Sequence, residues 1–196
     1  MSAVRTLTLA DVAWPRVGLL RDTVLILAAS VITALAAQIA IPLPWSPVPL
    51  TGQSFAVLLS GAALGARRGF LAQMVYLAGG ALGLPFFAGG GAGLVKLLGP
   101  TGGYLMAFPF AAALTGFLAE RGWDRRFFTT YAALLLGSAL IFAGGLSWLA
   151  RFLPADQLLM SGLLPFIPGD LIKSAFASAV FPAAWRWAHR RHGNDV

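Results

Sequence analysis

Six long apolar runs, separated by short polar or Pro/Gly-rich stretches, set the pattern of this chain. Residues 23–41 contain no Asp, Glu, Lys or Arg, and as a helix rising 1.5 Å per residue they reach about 28 Å, enough to cross a bilayer. Further runs cover 50–66, 70–84, 102–119, 127–149 and 169–188; the second and third are short and Gly-broken, which suits helices buried among neighbours that satisfy their backbone. The pattern predicts an all-α fold, a polytopic membrane bundle of six helices over 23–188. It is preceded by a segment, 1–22, and followed by a tail, 189–196. Residues 1–22 carry Arg5, Asp11, Arg16, Arg21 and Asp22 and have no apolar core, so they read as a cytoplasmic lead-in or an interfacial helix rather than a cleavable signal.

Composition excludes the other classes. Of 196 residues, 58% are hydrophobic and 11% charged, against about 25% charged in soluble domains. A water-soluble monomer of this size cannot hide so much apolar surface, and a disordered chain needs the opposite composition. The net charge of +7 is explained by the excess of Lys and Arg that membrane proteins keep in cytoplasmic loops, so no nucleic-acid partner is expected. With the N-terminus inside, Arg5, Arg16, Arg21, Arg67, Arg68, Arg121, Arg125, Arg126, Arg186, Arg190 and Arg191 fall on the cytoplasmic side. Lys96 and Arg151 fall outside, and Lys173 lies within the last run. Both termini are therefore expected in the cytoplasm, and the protein in the cytoplasmic membrane.

Two outer loops have unusual chemistry. Four prolines, Pro42, Pro44, Pro47 and Pro49, stiffen the connection between the first two runs. Seven glycines between 85 and 103 let backbone approach a ligand, form a mobile lid, or simply turn the chain tightly back into the membrane. No G-x-x-x-x-G-K-[ST] is present, so this loop is not a nucleotide site.

Ionisable side chains inside the runs are almost confined to Asp170 and Lys173, in Pro168-Gly169-Asp170-Leu171-Ile172-Lys173. A lysine in hydrocarbon costs about 2.5–3.5 kcal/mol, so such a pair is a candidate site. The i, i+3 spacing puts both on one helix face, Asp170 in the first turn and Lys173 about 4.5 Å deeper. Either they neutralise each other structurally, or they offer one acceptor and one donor to a polar solute. Thr51 and Gln53 stand near the same outer level, and Trp45, Phe86, Phe87, Tyr104 and Phe166 are candidate apolar walls or membrane-belt aromatics. Gln38 and Gln73 are expected to bridge helices. Ala29, Thr33, Ala36, Ala37 and Ala40 form a small-residue stripe, with Ala36-x-x-x-Ala40 suited to close helix approach within the bundle or to a partner.

An enzyme is not expected. His189 and His192 lie in the tail, and no cysteine, carboxylate pair or Ser–His set is available in the runs. Neither a metal nor a cofactor is implied.

Along residues 23–188 the chain resembles the BioY biotin transporters, the substrate-binding (S) components of energy-coupling-factor transporters. The resemblance rests on Ala40-Ile41-Pro42-Leu43-Pro44, Pro47-Val48-Pro49-Leu50-Thr51-Gly52-Gln53, Gly83-Leu84-Pro85, Leu98-Gly99-Pro100-Thr101-Gly102-Gly103-Tyr104 and Pro168-Gly169-Asp170-Leu171-Ile172-Lys173. It implies six helices, an outward-facing biotin pocket closed by the first and third loops, and biotin contacts by Asp170 and Lys173. The ureido ring would donate to Asp170, while Lys173 would meet either the ureido oxygen or the valerate carboxylate. Some members carry an asparagine where this chain has Gly91, so that contact would be lost or replaced by backbone or by Gln53. Thr51, Gln53, Gly91, Tyr104 and Phe86 complete the expected substrate-binding set. The resemblance further implies docking, through Ala36 and Ala40, on a transmembrane coupling protein that joins two cytoplasmic ATPases, or alternatively solitary transport.

Overall fold

Each of the apolar runs is helical in the computed structural model, which describes residues 7–15 and 18–192, the last four as backbone alone. The expectations for Arg5, Arg16, Arg190, Arg191, the side chains of His189 and His192, and residues 193–196 lie outside that range. The long helices are α2 (Leu19–Gln38), α6 (Gly102–Ala119), α7 (Phe127–Leu149) and α9 (Ile167–His192). Two shorter ones, α3 (Gln53–Leu64) and α4 (Ala66–Ala81), lie between α2 and α6 in the chain. Among the described residues, four helical stretches are long and apolar enough to cross a membrane: α2, α6, α7 and the stretch ending in α9.

Smaller helices appear outside the six runs: α1 (Leu9–Ala13), in the segment read as a lead-in or an interfacial helix, and α5 (Leu94–Leu98) and α8 (Ala155–Gly162), where the sequence predicts loops. The proline-rich connection is an antiparallel hairpin, β1 (Ala40–Leu43) with β2 (Ser46–Thr51), paired at Ala40–Thr51 and Ile41–Leu50. Proline there holds the strands extended and removes only donors that a two-stranded ribbon can spare. This pairing corrects the small-residue stripe. Helix α2 ends at Gln38, so Ala36 and Ala40 are not a helical i, i+4 pair, and Ala40 belongs to β1.

The core runs down the middle of α3, α4, α6 and α7 through Val57, Leu58, Tyr76, Leu105, Phe108, Leu134 and Ile141, all buried. The outer face of α2 instead exposes Leu27, Val31, Ile32 and Leu35, as a lipid-facing surface does. Polar bonds replace the hydrophobic effect in setting helix positions within such a bundle. Gln73, fully buried on α4, donates to Thr33 on α2 at 3.2 Å and to Ser60 on α3 at 2.9 Å, the bridging role expected of it.

Arginines gather at the end of the bundle where α2, α4 and α7 begin. Thr8 and Asp11 form a capping box that starts α1. Asp11 then accepts from Arg21 at 3.0 Å and Arg68 at 2.7 Å, and Asp22 accepts from Arg68 at 3.3 Å. Burial raises the Asp11 carboxyl, but bonds from Arg68, Thr8 and Arg21 outweigh it and hold the group at about 2. Glu120 accepts from the Ala66 backbone N–H at 2.9 Å, capping the start of α4. Asp124, in the turn between α6 and α7, accepts from Trp185 of α9 at 2.6 Å, and burial pushes its carboxyl above the ordinary range.

Candidate ligand site at the opposite end

A cavity of about 370 Å³ opens at the other end, between the hairpin, α5 and the ends of α3, α6, α7 and α9. Most of its wall is apolar: Pro47, Leu50, Phe87, Leu105, Phe108, Ile141, Phe142 and Phe166. Polar groups enter at a few fixed points, the composition expected of a small-molecule pocket.

Helix α9 supplies two of the three charged side chains that line the cavity. Its N-terminus tolerates Pro168 because first-turn N–H groups have no intrahelical acceptor. Asp170 and Lys173 then follow on one face, half-buried, and both line the cavity. They bond to different elements rather than to each other: Ser138 of α7 donates to Asp170 at 2.9 Å, and Lys173 donates to the Thr51 carbonyl at 3.0 Å. No ion pair joins them among the described residues. An acid and an amine on adjacent turns, each oriented by a neutral partner, keep unused hydrogen-bonding capacity toward the cavity.

Thr51 and Gln53 form the adjoining wall. The Thr51 hydroxyl donates to the Gln53 side-chain oxygen at 3.0 Å, and the Gln53 amide donates to the Tyr76 hydroxyl. Tyr104 presents its ring to the cavity while its hydroxyl donates to the Gly162 carbonyl at the end of α8, 2.7 Å away. Two expected residues stand elsewhere. Phe86 does not line the cavity; it stacks on Tyr76, with centroids 6.1 Å apart, and Phe87 holds the wall position. Gly91 also lies outside the lining, bridged by backbone to Phe87.

Two loops close the site, and each is bonded in place. In the hairpin, the Ser46 hydroxyl donates to the Ser161 carbonyl at 2.6 Å and the Ser161 hydroxyl to the Trp45 carbonyl at 3.1 Å. The glycine loop is held by Gln38, which donates to the Pro85 carbonyl at 3.2 Å and accepts from Gly90 N–H at 2.9 Å. Gln38 thus ties a helix to a loop, not to another helix. Gly93, at φ +84°, donates to the Gly80 carbonyl at 2.7 Å, a left-handed geometry that favours glycine. Ala36 sits beside this region half-buried, and a Cβ on Gly52 would come within 2.8 Å of its carbonyl, so here the small residues permit packing inside the molecule.

Sequence reasoning singles out neither Ser138 nor Lys96 as part of the site. Ser138 is one small polar residue in an apolar run and carries no local signal. Lys96 had one: it is among the few cations that the charge partition leaves outside. It lines the cavity from α5.

Comparison with known proteins adds four findings. A family model described as "BioY family" matches residues 5–190. A protein of Pyrococcus horikoshii called "Probable biotin transporter BioY" is 41% identical over 163 residues, 83% of this chain and 91% of its own. A "Biotin transporter BioY" of Rhizobium etli is 38% identical over 167 residues, 81% of this chain and 89% of its own. A crystal structure described as the S-component for biotin from an ECF-type ABC transporter superposes with a TM-score of 0.77 at 28% identity. It covers 85% of this chain and 92% of that one.

Proposed function

The chain belongs to the BioY family, and from that premise we propose that it captures biotin and carries it across the cytoplasmic membrane as the substrate-binding component of an energy-coupling-factor transporter. The observation that carries this reading is the arrangement of Asp170 and Lys173, which line one cavity, share a helix face and leave each other unpaired. Biotin's ureido ring offers N–H donors to Asp170 and a carbonyl to Lys173, while the apolar walls suit its fused rings and aliphatic chain. A purely structural Asp–Lys pair, the scaffold reading, would bring the two together, and they are bonded to Ser138 and Thr51 instead.

The orientation follows from charge. Arg21, Arg67, Arg68, Arg121, Arg125, Arg126 and Arg186 occupy the end away from the cavity, which supports a cytoplasmic placement for that end and for both termini. On this reading α3 and α4 complete six membrane helices, their 12 and 16 residues extended by the hairpin and the glycine loop. Thr51, Gln53 and Tyr104 serve as supporting binding residues, and Gly91 and Phe86 contribute from behind the wall.

Titrating the detergent-purified chain with biotin tests the proposal: binding is expected, with Asp170→Asn and Lys173→Ala both weakening it. Unchanged affinity in both variants removes the site assignment. Docking on a coupling protein is a separate part of the proposal, assigned to α2 with Ala36, and with Ala40 just beyond its end. Ala36→Trp is expected to abolish association with the coupling protein and its ATPases while leaving biotin bound. Loss of both together makes Ala36 a packing residue only.

A further inference from the structure

Among the described residues, three cations stand near the cavity end, and two have a partner. Lys173 donates to the Thr51 carbonyl, and Arg151 lies over the Trp148 ring with its guanidinium carbon 4.3 Å from the centroid. The Lys96 ammonium has neither a hydrogen bond nor an ion pair among the described residues. Helix α5 nevertheless places this residue on the wall of the same cavity that the charges of α9 line. Its arm also has a defined bed. A Cβ at Gly91 would fall 2.8 Å from Lys96 Cε and 3.4 Å from Cδ, so the aliphatic part of Lys96 fills the space that a side chain at 91 would take.

We propose that Lys96 is the lid cation that recognises the carboxylate of the ligand's aliphatic tail, and that Gly91 is required because the Lys96 arm lies against it. This inference rests on the biotin reading and extends it to specificity: the α9 pair selects the ring system, and α5 selects an anionic tail over a neutral one. It also divides the labour between the two lysines. Lys173 gives one of its N–H groups to the Thr51 carbonyl and keeps the others for the ring beside Asp170, whereas Lys96 lines the cavity from the short helix α5. A charge-assisted bond from ammonium to carboxylate would draw α5 over the bound molecule.

The test compares biotin with biotin amide, which differs only in the tail charge, on the full chain in detergent. The parent chain is expected to prefer biotin by about tenfold or more, the scale of one hydrogen bond to a charged group. Lys96→Gln, on an exposed lid helix, should weaken biotin by that factor and leave biotin amide unchanged, abolishing the preference. Gly91→Val should displace the Lys96 arm, produce the same loss, and add nothing in the Lys96→Gln background. Equal weakening of both compounds, or a preference that Lys96→Gln does not move, overturns the assignment of Lys96 while leaving the biotin site intact. Failure of the parent chain to bind either compound overturns the biotin reading and this inference with it.

Discussion

The two ends of the bundle use the same side-chain chemistry in opposite ways. Around α1, Asp11, Asp22, Arg21 and Arg68 bond to one another. Around the cavity, the Asp170 carboxylate is bonded to a serine, the Lys173 ammonium to a backbone carbonyl and the Lys96 ammonium to no described residue. A closed set of charges holds elements together and has little left to offer a solute. A set oriented by neutral partners keeps its charge for something that arrives later. The difference separates a fastening from a binding site more clearly than burial does, because both groups are partly buried.

That contrast is sharpest at α9. Asp170→Asn or Lys173→Ala is expected to lower biotin affinity between about ten- and hundredfold, the range of one hydrogen bond to a charged group, with little change in the thermal midpoint of the unliganded protein. A large fall in that midpoint, measured by scanning fluorimetry without biotin, would make the pair structural and erase the distinction. At the arginine end the opposite split is expected. Arg68→Ala removes two partly exposed pairs and should cost about 1 kcal/mol of stability, with biotin titrations unchanged.

The smallest expected effect is in pH. The Asp11 carboxyl sits at about 2 in the folded chain against an ordinary 3.8. Its contribution is therefore complete above 3.8 and is lost as the pH falls toward 2. Because the chain has no cysteine, a spin label on Leu7→Cys reports the docking of α1 alone. The label should stay immobile at neutral pH and gain mobility only in that acid window. Mobility rising near neutrality would mean that another contact, not the Asp11 bonds, keeps α1 in place.

Much of the architecture was legible because hydrocarbon is an unforgiving solvent. The runs at 102–119 and 127–149, bounded by glycine and charged residues, coincide with α6 and α7, and Asp170 and Lys173 stand out because few polar groups are tolerated there. What stayed hidden depended on pairing across the chain. The prolines announce an extended segment but not its partner strand, so the apolar run alone extends α2 beyond Gln38 and carries Ala40 on a helix, where the structure has β1. Phe86 and Phe87 are equivalent in sequence, and the bridge between Phe87 and Gly91 decides which ring faces inward. Helix α8 and Ser138 matter through contacts made more than thirty positions away, which no local pattern encodes.

The serine clasp between the hairpin and α8 has a kinetic consequence. Ser46 and Ser161 each donate to a backbone carbonyl across one rim, so the hairpin can swing outward from α8 only by breaking both bonds together.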